Sequence, residues 1–170
     1  MMTRGNSPTF ANLLRRPVHL LAFGFGAGLS PTAPGTAGTL LAVPLVFLLR
    51  DLGAVEYLLL AAGLFVAGVW LCGRTARDLQ VHDHPGIVWD EIVGYLVTMA
   101  WAPKQWNWII GGFLLFRLFD IFKPWPIRTV DRRLRGGVGI MLDDLLAGLA
   151  AGLVLAGIEG LYSGGLGRDF

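Results

Sequence analysis

The run LGAVEYLLLAAGLFVAGVWLC, residues 52–72, holds one acid, Glu56, near its start and no other charge. The hydrocarbon core of a bilayer is about 30 Å thick, and a helix needs roughly 20 apolar residues to cross it. The run therefore reads as a transmembrane helix. The whole chain agrees: over 170 residues it is 54% hydrophobic and 15% charged, with mean hydropathy +0.59, whereas a soluble domain is about one quarter charged. A net charge of +2 gives little electrostatic support to nucleic-acid binding. The single cysteine, Cys72, excludes an intramolecular disulfide. The N-terminal stretch MMTRGNSPTFANLLRRPVHLL lacks a clean apolar core followed by a small-residue cleavage site, so no cleavable signal peptide is expected.

Working outward, four more apolar segments follow the same scale: Ile140–Leu161, Trp106–Phe122, Trp89–Ala102 and Gly38–Leu49. The last contains Pro44, which predicts a kink. Pro17–Leu29 is too short and glycine-rich for a span and reads as a re-entrant or interfacial piece. The expectation is an all-α, polytopic membrane bundle of about five transmembrane helices, some short or broken, with a cytoplasmic N-terminus. It divides into an N-terminal segment (1–29), a transmembrane catalytic domain (30–162) and a C-terminal tail (163–170). Orientation follows from the basic residues in the connections. Arg4, Arg15, Arg16, Arg74, Arg77, Lys123, Arg128, Arg132, Arg133 and Arg135 would lie inside, against Arg50, Lys104 and Arg168 outside.

With that alternation, Asp90 and Glu91 begin the third span, Asp120 ends the fourth, and Asp143 and Asp144 begin the fifth, all on the inner side. A carboxylate near the centre of a membrane helix costs roughly 2.5–3.5 kcal/mol, so a cluster at one depth needs a compensating partner. Mg²⁺ suits it, because this hard cation takes oxygen ligands and keeps positions open for phosphate oxygens. Neighbouring helical residues point about 100° apart, so Asp143 and Asp144 cannot chelate as one unit; one ligates while the other serves a supporting partner or a second metal. Arg117 and Asp120 share a helix face three residues apart, and Lys123 follows beside the rigid KPWPI stretch. SPTAPGTAGT, residues 30–39, supplies hydroxyls, backbone N–H groups and a helix start, an environment suited to anions. Together these point to phosphoryl chemistry on a lipid headgroup.

Other readings of single features stay open at this stage. The acids can be helix glue paired with arginines, as in an assembly or scaffold protein, or sites for coupling ions in an ion-coupled transporter. His82, Asp83 and His84 read as an exposed polar loop, His19 as structural, and Arg132, Arg133 and Arg135 as the positive-inside signal. A nucleotide P-loop, a cysteine-phosphatase loop and a serine nucleophile elbow are absent.

Four blocks then carry a resemblance: GFGAGLSPTAPGTAGTLLAVPL (24–45), VWDEIVGYLVTM (88–99), FRLFDIFKPWPI (116–127) and GGVGIMLDDLLAGLAAG (136–152). Together they resemble the phosphatidylglycerophosphatase A family. The resemblance implies a Mg²⁺-dependent phosphatase of the bacterial inner membrane, hydrolysing the lipid phosphatidylglycerophosphate to phosphatidylglycerol and phosphate for phosphatidylglycerol and cardiolipin synthesis. The family's acidic catalytic and metal positions would fall on Asp90, Glu91, Asp120, Asp143 and Asp144. Its phosphate-side positions would fall on Thr36, Thr39, Arg117 and Lys123.

Overall fold

A computed structural model describes residues 8–103 and 105–166, with side chains through Ser163. Arg4, Lys104 and Arg168 of the charge count lie outside the described residues, as does the second half of the tail expected at 163–170. Among the described residues all regular structure is helical: α1 (Phe10–Leu14), α2 (Pro17–Ala22), a 3₁₀ segment (Gly24–Leu29), α3 (Pro34–Leu48), α4 (Ala54–Asp78), α5 (Trp89–Thr98), α6 (Trp106–Phe122), α7 (Ile127–Arg133) and α8 (Gly136–Leu166).

Two helices, α4 and α8, are long and apolar enough to cross a membrane alone, against the five spans expected. The remaining apolar segments are real helices but shorter, with 15 residues in α3, 10 in α5 and 17 in α6. The expected span Trp89–Ala102 is the largest correction, since α5 stops at Thr98. The Thr98 hydroxyl bonds back to the Gly94 carbonyl, and Pro103 disfavours helical backbone in the residue before it. At 1.5 Å per residue α5 is about 15 Å long. Its apolar side chains are nearly all buried, because it is the central helix among α3, α4, α6 and α8. Pro17–Leu29 forms one short helix and then 3₁₀ turns interrupted at Phe25 and Gly26, both at positive φ.

Helix directions follow from contacts at the two ends. Phe47 of α3 packs on Trp106 of α6, with ring centroids 4.7 Å apart, while Gly35 at the other end of α3 lies against Arg117 of α6. These two helices are therefore antiparallel. Trp89 Nε1 donates to the Leu64 carbonyl and Tyr57 Oη to the Leu96 carbonyl, so α4 and α5 are antiparallel too. α8 runs beside α5 in the same direction, with Gly148 against Gly94 and Gly152 against Thr98. The starts of α3, α5 and α8 and the ends of α4 and α6 thus meet at one end of the bundle.

The helices pack this closely because backbone touches backbone. A Cβ on Gly148 would stand 2.3 Å from the Gly94 carbonyl oxygen, and one on Gly137 1.8 Å from the Val69 oxygen. The core holds Tyr95, Leu96, Phe116 and Ile109 on one side of α5, and Phe23, Val93 and Met141 on the other. The buried Tyr95 hydroxyl donates to the Ile109 carbonyl at 2.8 Å. By contrast Leu59, Val66, Leu114, Leu153 and Leu161 face outward, each more than 60% exposed.

Gly148→Ala is expected to destabilise the protein by about 1–3 kcal/mol, as overpacking does. Gly157→Ala, where a Cβ meets nothing within 4 Å, is expected to be neutral or stabilising by up to about 1 kcal/mol. Thermal unfolding of the two purified variants checks the contrast; equal midpoints would contradict the close α5–α8 contact.

Candidate active site

The first turn of α5 carries Asp90 and Glu91, where the positive end of the helix dipole favours carboxylates. That turn is held from two sides. The Val88 N–H donates to the Ala22 carbonyl at 2.9 Å, and the Trp89 indole is anchored on α4 at Leu64. Across from it, α8 passes with Gly148 on Gly94, which sets Asp144 one turn earlier against the same region. One carboxylate oxygen from each of Asp90, Glu91 and Asp144 lies within 4.8 Å of the others. Asp90 Oδ1, Glu91 Oε2 and Asp144 Oδ2 are buried and make no hydrogen bond among the described residues. Three carboxylates with free oxygens in an apolar interior repel one another and are costly unless a cation joins them. All-oxygen donors at this separation suit a hard divalent ion such as Mg²⁺.

Beside this triad sits Arg117 of α6. Its Nη1 is 2.5 Å from Asp120 Oδ2 and 3.9 Å from Glu91 Oε1. Neither Nη1 nor Nε has hydrogen-bond geometry to a partner among the described residues, so the guanidinium keeps donors to offer. The start of α3 closes over this pair. A Cβ on Gly35 would lie 2.2 Å from Glu91 Oε1 and 3.0 Å from Arg117 Nη1, so a larger residue there would push the Glu91 carboxylate and the guanidinium aside. Thr36, next in the chain, is half-buried with its hydroxyl unengaged by any hydrogen bond among the described residues. Thr39 is turned away: its fully buried hydroxyl donates to the Gly35 carbonyl of its own helix at 2.9 Å.

The Asp pair divides. Asp144 joins the triad, whereas Asp143 receives a short contact from Lys123 Nζ, which also donates to Asp131 Oδ1 at 2.7 Å. Asp143 keeps a second, buried oxygen, Oδ1, without a partner among the described residues. Lys123 ends α6 in a left-handed conformation, φ +42°, which turns the chain into α7 and brings Asp131 within reach. Burial draws the Lys123 ammonium toward lower pKa, but the hydrogen bonds it donates to Asp131 and Asp143 outweigh that and hold the group above the ordinary lysine value. Lys123 is thus a permanent cation.

Of the sequence-derived residues, the structure joins Asp90, Glu91 and Asp144 directly, sets Arg117 and Asp120 against Glu91, and places Asp143 with Lys123 alongside. Two contributors were not anticipated. Gly35 was read only as part of a turn-rich helix start; its signal was a glycine one residue inside that helix. Asp131 was hidden among arginines. Asp83 lies in an exposed loop, as expected, with burial lifting its carboxyl's pKa and Lys123 pulling the other way. His84, in contrast, is structural: burial lowers its pKa, its Nδ1 accepts the Gly86 N–H at 3.0 Å, and its ring leans on Phe23.

Comparison with known proteins adds an independent line. The model of the family described as phosphatidylglycerophosphatase A matches residues 20–159. Phosphatidylglycerophosphatase A of Escherichia coli (strain K12) is 48% identical over 143 residues, covering 84% of this chain and 83% of that protein. Phosphatidylglycerophosphatase A of Haemophilus influenzae is 47% identical over 156 residues, covering 91% and 96% respectively. No solved structure matches the chain.

The divided Asp pair gives a direct test. A divalent ion at 100 times its Kd stabilises a folded protein by about 2.7 kcal/mol. Mg²⁺ or Mn²⁺ is expected to raise the unfolding midpoint of the wild type and of Asp143→Asn, and to lose that effect in Asp144→Asn. Gly35→Ala is expected to weaken the cation response by displacing Glu91. Equal loss in both aspartate variants would contradict the division.

Proposed function

The chain belongs to the phosphatidylglycerophosphatase A family and is a phosphatase, and on that premise we propose that it hydrolyses phosphatidylglycerophosphate to phosphatidylglycerol and phosphate, with Mg²⁺, at the cytoplasmic face of the bacterial inner membrane. The observation that carries the reading is the buried Asp90–Glu91–Asp144 triad next to Arg117, in which each carboxylate brings an oxygen close to the other two and keeps one oxygen without a hydrogen bond among the described residues. The membrane reading is supported by α4 and α8 and by the outward apolar side chains, since soluble proteins rarely expose large contiguous apolar patches. Orientation is supported by charge. The site end of the bundle carries Arg15, Arg16, Arg74, Arg77, Lys123, Arg128, Arg132, Arg133 and Arg135, whereas Arg50 lies at the other end. A transporter would place its coupling acids near mid-bundle; here they gather at one end.

Asp90, Glu91 and Asp144 would hold Mg²⁺. When bound, the ion polarises phosphoryl oxygens and offsets their charge. Arg117 offers its free N–H donors to the transferred phosphoryl group, a geometry guanidinium suits, while Asp120 and Glu91 keep it from swinging away. Asp143 is the base: Lys123 holds one of its oxygens, leaving Oδ1 to accept a proton as a water oxygen attacks phosphorus. The bond from phosphorus to the glycerol oxygen breaks, and that oxygen takes the proton back from Asp143. Lys123 keeps Asp143 oriented, and Asp131 keeps Lys123 in place. The phosphate, carried on a glycerol headgroup, approaches past Gly35, beside a cavity of about 540 Å³ lined in part by Ser30, Pro34 and His84.

Phosphate release from short-chain phosphatidylglycerophosphate by the purified protein tests this. Release is expected with Mg²⁺, to stop with EDTA, and to be abolished in Asp144→Asn. Arg117→Gln is expected to lower kcat by about 10²–10³-fold, the usual loss for one donor to a developing anion. No release from folded, lipid-supplemented protein would sink the proposal. Incorporation of ¹⁸O from labelled water into an enzyme aspartate in a single turnover would replace direct attack by water with an aspartyl-phosphate route.

A further inference from the structure

Outside the acidic site, a cavity of about 640 Å³ opens between α2 and the end of α4, lined in part by Arg15, Arg16, His19, Trp70, Arg74 and Asp78. Its charge is unbalanced. Asp78 is the single acid among its lining residues, and it is already occupied: Arg74 Nε donates to both its oxygens at 3.0 and 3.1 Å, and His19 Nε2 lies 3.1 Å from Oδ2. The His19 side chain is only 4% exposed, so this acid is pinned from beneath. Arg15 and Arg16 are exposed and pair with no carboxylate among the described residues. The cavity therefore offers guanidinium groups with no internal anion to satisfy them.

The surroundings say what kind of anion. Trp70 lies one turn before Arg74 on the same face of α4 and is 58% exposed, and indole is favoured where hydrocarbon meets headgroups. Continuing along that face, Val66 and Leu59 are each 68% exposed, at spacings that align them on one helical stripe. Arginines, then an indole, then an apolar track is the order of a phosphate, an interface and an acyl chain. The opposite face of α4, with Gly68, Cys72 and Gly73, packs on α8, so the helix stands between this cavity and the acidic triad.

We propose that this cavity is a separate binding site for the phosphodiester headgroup of an anionic phospholipid, gripped by Arg15, Arg16 and Arg74, with an acyl chain along α4. The proposal rests on the membrane reading above but not on the reaction. The full-length protein in vesicles tests it, through quenching of Trp70 fluorescence by brominated lipid, taken as the difference between wild type and Trp70→Phe. Brominated phosphatidylglycerol is expected to quench at roughly tenfold lower mole fraction than brominated phosphatidylcholine, as two unpaired arginines near a membrane surface warrant. Arg15→Gln/Arg16→Gln is expected to remove the preference, and Arg132→Gln/Arg133→Gln, which takes the same charge from elsewhere on that end, to keep it. Inorganic phosphate at 50 mM, an ample excess, is expected to leave quenching unchanged. Full competition by it would mean a site for free phosphate and overturn the lipid assignment. Equal quenching by the two lipids, or equal loss in the two arginine pairs, overturns the site alone. No quenching by either lipid overturns both the site and the membrane reading. Phosphate release, assayed separately, stands or falls without it.

Discussion

Like charges pressed together in an apolar interior are the constraint around which this structure is arranged. Asp90, Glu91 and Asp144 bring oxygens within 4.8 Å of one another, and each keeps one buried oxygen without a hydrogen-bond partner among the described residues. Such an arrangement persists only when the packing that imposes it is strong and a cation relieves the repulsion. The packing comes from α8, which lies against α5 closely enough that backbone stands on backbone at Gly94 and Gly148. Arg117, already in place, supplies part of that relief, and the proposed divalent ion would supply the rest.

That division also explains why two adjacent aspartates are both present. On one helix they face about 100° apart, so the pair reaches two environments. Asp144 looks inward to the triad, while Asp143 looks to Lys123 and Asp131. In the proposed reaction this separates the groups that bind the phosphate from the group that moves a proton. A single carboxylate in place of the pair would have to serve both needs from one position.

The bundle reverses the usual distribution of polarity. Its most polar contacts lie between helices at one end, and large apolar side chains of α4, α6 and α8 point outward. In the proposed bilayer both facts have one cause: lipid satisfies the outer face, so interior packing can be given over to close backbone contact and a charged site. The basic cavity beneath Trp70 fits the same frame, since it lies where the apolar face of α4 meets the arginines.

Much was legible from the chain alone. Run length and lack of charge identified the apolar helices, and their alternation placed the acids of α5, α6 and α8 at one end, because direction reverses from each long helix to the next however long it is. Residue type identified Arg117 and Lys123 as cations for that end. The number of helices long enough to span alone was not legible, because α5 is apolar for burial in protein, and composition does not distinguish that from burial in lipid. Nor was Thr39's turn toward its own backbone, which depends on a local hydrogen bond, or the inclusion of Asp131, which depends on the chain folding back after Lys123. Hydropathy and charge along the chain determine which segments are helical and which ends meet. Which oxygen faces which cation is decided only by helix rotation and close contact, as at Gly35 and Gly148, because those are distances between residues remote in sequence.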